Sequence, residues 1–557
     1  MYKSRLFMMK NFPIFFFLLV SNIVFSQQRK ITQKDLQGAS AIFDLQMSQN
    51  ELDTLLSDVQ DNLSVIQSLH AQKLPNHVPL SMWQNPLLPG IKLNKIQRTI
   101  IWSKEKNISL PKNKNDLAFY SIPQLASLIK SRKISSLELT RFFIDRIKKY
   151  GDTLQCVISL TENIAVHQAK KADADLAKGI YYGLLHGIPY GLKDLFSVKN
   201  TKTTWGAAPY QNQVIQEDAF VYQKLQKAGA VLIAKFTLGA LAMGDYWYGG
   251  RTKNPWNLRA GSSGSSAGSA SATVAGLVPF AIGTETYGSI VSPSTVCGAT
   301  GFRPTFGRVS RTGAMALSYS LDKVGPICRS AEDAAIVFNS IRGTDGIDQS
   351  AIDAPFNFDA HLNIKKLKVA YAKNYFDQIK DSTSNDWKVL QTLKKSGVNL
   401  IPVEFPESAY TFSIIDLIIG AECAAQFDEL TRFNIDDELT RQGKNDWPNQ
   451  FRTARFIPAV DYINAQRHRY LLMQQVNQFF QQFDVVIAPS RSNQLPITNL
   501  TGHPVVCVPS GFSGVNQTPT SISFLGNLFD ESTILAFAKY YQQLTQWDEQ
   551  HPSLFNN

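Results

Sequence analysis

Short runs rich in Val and Ile recur along most of this chain: CVISL at Cys156, AVLIAKF at Ala230, LVPFAIG at Leu277, KLKVAYA at Lys366, DVVIAPS at Asp484 and HPVVCVPS at His503. Each is too short for a helix, and neighbouring runs are set apart by helical patterning, as over 218–228 and 453–483. Runs that are apolar on nearly every residue predict strands covered on both faces. The class expected is α/β: one large mixed, mostly parallel β-sheet core flanked by helices on both faces. No internal repeat of solenoid or propeller length is visible.

The amino terminus reads differently. Lys3, Arg5 and Lys10 come before an apolar run from Phe12 to Phe25 interrupted only by Pro13, Ser21 and Asn22, and Val24 and Ser26 stand three and one positions before Gln27. That is the layout of a secretory signal peptide over 1–26, so export to a periplasm or the medium is expected. The competing reading is a membrane anchor. The run falls short of the ~20 residues that span a bilayer, and no Cys follows it to take a lipid. No second candidate span exists, so no stable membrane span is expected after cleavage.

Residues 27–116 are expected to form a helical extension and linker. Leu52, Leu55, Leu56, Val59, Leu63, Ile66 and Leu69 recur at helical spacing, which predicts an amphipathic helix laid on something larger. Pro75, Pro79, Pro86, Pro89 and the polar KEKNISLPKNKND then read as a linker. The catalytic part is expected over 117–552, where Ser135 and Glu138 form a capping box opening a helix.

The net charge of +11 falls to +8 without the first 26 residues. The excess is spread thinly, with no Lys/Arg stripe interleaved with aromatics, so no nucleic-acid partner is expected. The five cysteines are scattered, mostly in apolar surroundings and without CxxC spacing. They read as buried free thiols and not as a metal or redox site.

Three segments could carry chemistry. In GIPYGLKDLFSVK, Lys193 lies inside an apolar, strand-like stretch. It either pairs with Asp194, or is buried with a depressed pKa and serves as a base. GSSGSSAGSAS, from Gly261, has the composition of a linker, yet it is flanked by NPWNLRA, a poor strand, and by SASATVAGLVPFAIG, small residues at helical density followed by a strand. A loop of small residues opening a packed helix points backbone N–H groups and hydroxyls at one spot. GTETYGSIVSPS, from Gly283, follows a strand, and a turn there presents consecutive N–H groups to an anion.

Together these segments resemble the amidase signature family, as do HGIPYGLKD, DAFVYQKLQKAGAVLIAK, GATGFRPTFGRVSRTG, SLDKVGPICRS and NLTGHPVVCVPSGF. The resemblance runs from about Leu117 to about Pro552 and is loosest over 345–450. It implies a Ser-Ser-Lys set: Lys193 as base, Ser265, typically behind a cis peptide bond, as the bridging residue, and Ser289 as nucleophile. Ser265 precedes Ser289 by 24 positions, the interval between the family's two serines, which leaves Ser262 and Ser263 out of register. It also implies an oxyanion hole from the backbone of Thr286, Tyr287, Gly288 and Ser289, supporting roles for Ser266 and Asp194, and neither metal nor organic cofactor. The expected activity is hydrolysis of a small-molecule or peptide amide through an acyl-serine.

This sequence departs from the family pattern at Tyr287, where many members have Gly, at Glu285, where many have Asp, and at Val291, where Arg is common. A ring at 287 is expected to narrow the acyl pocket or stack on the acyl group. Two other readings compete. Gly264 to Gly268 fits G-x-S-x-G, which makes Ser266 the nucleophile of an α/β-hydrolase-type esterase. The chain could also be a non-catalytic amidase-like component of an aminoacyl-tRNA amidotransferase complex, against which the signal peptide argues.

Overall fold

The computed structural model of the protein describes residues 30–42, 45–70, 85–105, 108–514 and 517–556. The signal peptide expected over 1–26 lies outside them, as does most of the Pro-rich stretch after residue 70.

Eleven strands form one sheet. In chain order they are β1 (Val157–Leu160), β2 (Pro189–Lys193), β3 (Val231–Phe236), β4 (Phe280–Glu285), β5 (Thr300–Arg303), β6 (Lys323–Cys328), β7 (Val369–Ala372), β8 (Leu400–Val403), β9 (Val485–Pro489), β10 (Val505–Ser513) and β11 (Thr518–Leu525). Across the sheet they run β1-β3-β2-β4-β6-β5-β10-β11-β9-β7-β8. Both faces are covered, as expected. On β10, Val506 and Val508 enter one apolar cluster with Ile534 and Leu535, while Val505 and Cys507 enter another with Leu472 and Val476.

The weighting toward parallel pairs is corrected. Four neighbour pairings are parallel (β2–β3, β2–β4, β7–β8, β7–β9), and the other six are antiparallel. The strands that shift the balance are β5, β6 and β11, whose TGFR, KVGPIC and TPTSISFL lack the unbroken Val/Ile signal. β5 and β6 are buried throughout and β11 over most of its length, and β10 and β11 follow each other too closely for a crossover, so they pair as an antiparallel hairpin.

Helix α1 (Gln33–Ile42) and helix α2 (Gln49–His70) fold against the main body. Leu36, Leu52, Leu55 and Val59 close on Phe456, and Glu51 reaches Arg452 at 2.8 Å. The amphipathic face read from the sequence is thus buried within its own chain. The capping box forms as expected, with Ser135 and Glu138 exchanging side-chain-to-backbone bonds at the start of helix α3 (Ser136–Leu154). All five cysteines are buried and free.

Two adjacent parallel strands position the site. Leu192 of β2 pairs with Ile282 of β4, so both strands end on the same edge of the sheet. Lys193 closes the first and Glu285 the second. The carboxyl ends of strands in an open α/β sheet are where ligands bind.

Candidate active site

Every residue of β2 is buried, and Lys193 has no exposed surface at all. Its Nζ lies 2.8 Å from Ser265 Oγ, 2.8 Å from Thr284 Oγ1 and 3.2 Å from Ser266 Oγ. Three hydroxyls surround it, and no described carboxylate reaches salt-bridge distance. Burial brings its pKa down to about 7, against the pull of the Asp322 and Glu285 carboxylates, which favour the charged form. The salt-bridge reading of Lys193 with Asp194 fails. Asp194 pairs instead with Lys235, 2.8 Å away, and accepts from both the N–H and the hydroxyl of Thr204. Asp194 therefore supports the site by fixing the chain just after Lys193, not by touching the lysine.

The Gly/Ser stretch is pinned, unlike a linker. A side chain at Gly264 would meet the Gly244 carbonyl oxygen at 1.8 Å, so only Gly fits there. The Gly264–Ser265 peptide is cis. Ser266 stands just before helix α4 (Ala267–Val274), and its backbone N–H bonds to the carbonyl of Ser289. The two serine segments are thereby joined through the backbone. Ser262, the out-of-register copy, turns its hydroxyl to the neighbouring Ser263 carbonyl.

After β4 the chain turns through 286–290 into helix α5 (Val291–Cys297), with Gly288 at φ +87°. Glu285 organises this turn. One carboxylate oxygen accepts the N–H groups of Ile290 and Val291, and the other meets Arg303 at 2.5 Å and the Asn499 amide at 2.9 Å. Among the described residues, the N–H groups of Thr286, Tyr287, Gly288 and Ser289 have no acceptor within the chain. Free donors at a turn between a strand end and a helix start suit an oxyanion.

Access rises along the set: Lys193 is 0 % exposed, Ser265 1 % and Ser289 9 %. The group that would meet a substrate is thus the one that solvent reaches. No hydrogen bond joins the Ser265 and Ser289 hydroxyls among the described residues. Rotation about one side-chain torsion moves Ser289 Oγ, and such contacts commonly tighten only once substrate is bound.

The esterase reading of Ser266 does not survive this geometry. Its hydroxyl is fully buried, bonds Thr284 through that residue's carbonyl and N–H, and meets no described histidine. Residues Asn257–Gly261 do form a strand, contrary to the expectation for NPWNLRA. They pair only with Lys253–Asn254, in a ribbon outside the main sheet, because Asn254 accepts the Trp256 N–H and closes a tight turn.

The family model for Amidase matches residues 138–497. The chain belongs to the amidase family. Among curated proteins, this amidase is 35% identical over 482 residues to a subunit of the glutamyl-tRNA(Gln) amidotransferase of Coxiella burnetii, a match spanning 78% of this chain and 99% of that protein. It is 32% identical over 490 residues to the corresponding protein of Geobacillus sp. (strain WCH70), over 78% of this chain and 99% of that one. Among solved structures, the native peptide amidase of Stenotrophomonas maltophilia superposes with a TM-score of 0.71 at 25% identity, over 80% of this chain and all of that one. The amidase is accordingly an amide-hydrolysing enzyme.

Beside the site the amidase has a cavity of about 280 Å³ lined by Thr284 and Thr286, with Leu317, Met315 and Val324 also among its walls. Neither Tyr287 nor Ser289 is among the residues that line it. Tyr287 is partly buried against the second apolar cluster.

Sequence reasoning passed over Lys235, Thr284 and Asp322. Lys235 pairs in register with Leu192, one residue before Lys193, but strand register is not visible in a single sequence. Asp322, within the quoted SLDKVGPICRS, accepts from the Thr286 hydroxyl at 2.6 Å and from the Leu317 and Ser318 N–H groups, tying the turn to the cavity wall.

Proposed function

We propose that the amidase cleaves a carboxamide through an acyl-serine on Ser289, with Lys193 and Ser265 relaying the proton. The observation that carries this is a buried lysine with hydroxyl partners and no carboxylate. A lysine in that setting is neutral in a large fraction of molecules near pH 7 and can accept a proton. As Ser289 Oγ bonds to the carbonyl carbon, its proton passes to Ser265 Oγ, whose own proton passes to Lys193 Nζ. The oxyanion takes the free N–H groups of the 287–289 turn. The relay then runs backwards, the C–N bond breaks, and the amine leaves with the proton. Water repeats the sequence on the ester and releases the acid. Exposure of the full chain to a fluorophosphonate, followed by peptide mass spectrometry, is expected to place the adduct on Ser289 and to lose it in Ser289→Ala. An adduct on Ser266 would falsify the assignment.

Export is part of the same proposal and rests on the charge, apolar and small-residue pattern of residues 1–26. Amino-terminal sequencing of the protein recovered outside the cytosol should begin at Gln27, and a protein retained in the cytosol with Met1 intact overturns it. A second reading is supported by the 35% identity to a protein named as one subunit of an amidotransferase. It makes this chain the amide-hydrolysing member of a larger assembly. Purification from its own cells at native mass decides it: a single chain, or copies of it, speaks against a hetero-assembly.

A further inference from the structure

Strand β4 pairs antiparallel with β6, Thr284 opposite Val324 and Glu285 opposite Lys323. One step further the same register sets Thr286 opposite Asp322, and the two side chains meet: the Thr286 hydroxyl donates to Asp322 Oδ1 at 2.6 Å. Alternate side chains along a strand share a face. Thr284, with its hydroxyl 2.8 Å from Lys193 Nζ, thus lies on the side that carries Thr286 and Asp322, and all three line the cavity beside the site. Glu285, between the two threonines, turns to the other side, where Arg303 and Asn499 take it.

The charges near this edge of the sheet are mostly cancelled. Glu285 is neutralised by Arg303, Asp194 by Lys235 and Asp348 by Arg311. Asp322 is not: among the described residues no Lys or Arg reaches salt-bridge distance of it. Its second oxygen accepts the Leu317 and Ser318 N–H groups at 2.7 and 2.9 Å, so it receives three donors and gives none, the arrangement of an ionised carboxylate. Burial raises its pKa, and Arg311 and those three donors oppose the rise. Of the two carboxylates that favour the charged form of Lys193, Asp322 has the larger effect and Glu285 the smaller. The loop that carries Asp322 is also strapped from outside. Glu422 accepts the Ser318 hydroxyl, the Ser320 N–H at 3.0 Å and the Ser320 hydroxyl at 2.7 Å, while Arg469 donates to the Ser320 hydroxyl and carbonyl.

We infer that Asp322 is a positioning residue of this amidase: through the Thr286 hydroxyl it sets the turn that carries Ser289, and its unpaired charge favours the ammonium that Lys193 becomes when the relay delivers a proton. The inference rests on the roles proposed above for Ser289, Ser265 and Lys193. Link and charge are separable, because the first runs through one hydroxyl and the second acts through space.

The test is the rate at which a fluorophosphonate labels the full chain, measured against reagent concentration and pH, since attack by Ser289 on this reagent needs the same proton transfer and the same turn. In the parent the rate should rise with pH through about 7. Asp322→Asn keeps every hydrogen bond, its oxygen accepting the Leu317 and Ser318 N–H groups and its amide nitrogen donating to the Thr286 hydroxyl, and removes only the charge. The limb should move to lower pH by about half a unit or more. Thr286→Val removes the hydroxyl and keeps the charge. Its maximal labelling rate should fall about ten- to a hundredfold, with the half-saturating reagent concentration little changed and the limb not lowered. Thr286→Ser, which restores the hydroxyl, should recover most of that loss. A limb that stays in place in Asp322→Asn, or equal rates for Thr286→Val and Thr286→Ser, overturns the inference, while labelling of the parent on Ser289 leaves the amidase mechanism standing. Should Asp322→Asn fail to fold, the Thr286 pair decides alone. A parent that is not labelled on Ser289 overturns both.

Discussion

Asp194 and Lys235 form a fully buried ion pair, 2.8 Å between carboxylate and ammonium, and it leaves the neighbouring Lys193 free of any carboxylate. The two lysines therefore have opposite duties. Removing Lys235 strands a buried carboxylate, which typically costs ~3–5 kcal/mol. Lys235→Met is expected to lower the thermal midpoint sharply. Lys193→Met, which leaves only hydroxyls behind, should keep the fold and lose the activity. Thermal unfolding of both variants beside an amide assay checks the contrast.

The pH profile should report Lys193. With its pKa held at about 7, kcat/KM should climb as pH rises through neutrality and level off above it. Lys193→Ala should lose that limb, and Lys193→Arg, which cannot deprotonate, should be nearly as inactive. Stability moves the same way. Between about 7 and the ~10.4 of a free lysine, only the unfolded chain holds the proton, so this residue makes folding more favourable as pH rises. Denaturant melts at several pH values should show a shallower rise in Lys193→Met.

Ser262 and Ser265 sit in near-identical local sequence with different partners, one bonded to the Ser263 carbonyl and the other to Lys193. Ser265→Ala is expected to cost on the order of 10²–10⁴ in kcat, the usual span for a proton-transfer group. Ser262→Ala should stay within a few-fold of the parent. Equal losses in steady-state assays would remove the relay.

Glu285→Gln tests what holds the turn. The amide can still accept the Ile290 and Val291 N–H groups, but Arg303 is left as an unpaired charge in the interior. A loss of ~3–5 kcal/mol in unfolding free energy is expected. Slower fluorophosphonate labelling of Ser289 should accompany it, because the turn carrying that residue hangs from the same carboxylate.

The parts of this molecule that were legible in sequence depend on local chemistry. Val/Ile runs, the Ser135 and Glu138 cap and the 24-residue interval between Ser265 and Ser289 all sit within short stretches of chain, and the structure contains each of them. The illegible parts depend on register. Nothing near AVLIAKF says that Lys235 lands opposite Leu192, and nothing in TPTSISFL marks a strand buried by its hairpin partner. Tyr287 stands beside Ser289 in sequence and is packed against the second apolar cluster, a contact that no local motif marks.

Helix α2 gives these observations a practical edge. The Trp447 indole donates to the carbonyls of Ala240 and Leu241, immediately before the cavity-lining Ala242, and its helix (Trp447–Ala454) carries Arg452 outward to Glu51 on α2. A gene trimmed at Leu117 would bare Phe456 and cut Arg452 from Glu51, one step behind a wall of the cavity beside the site. The segment ahead of the family match at 138–497 is therefore packed against the body which that match covers.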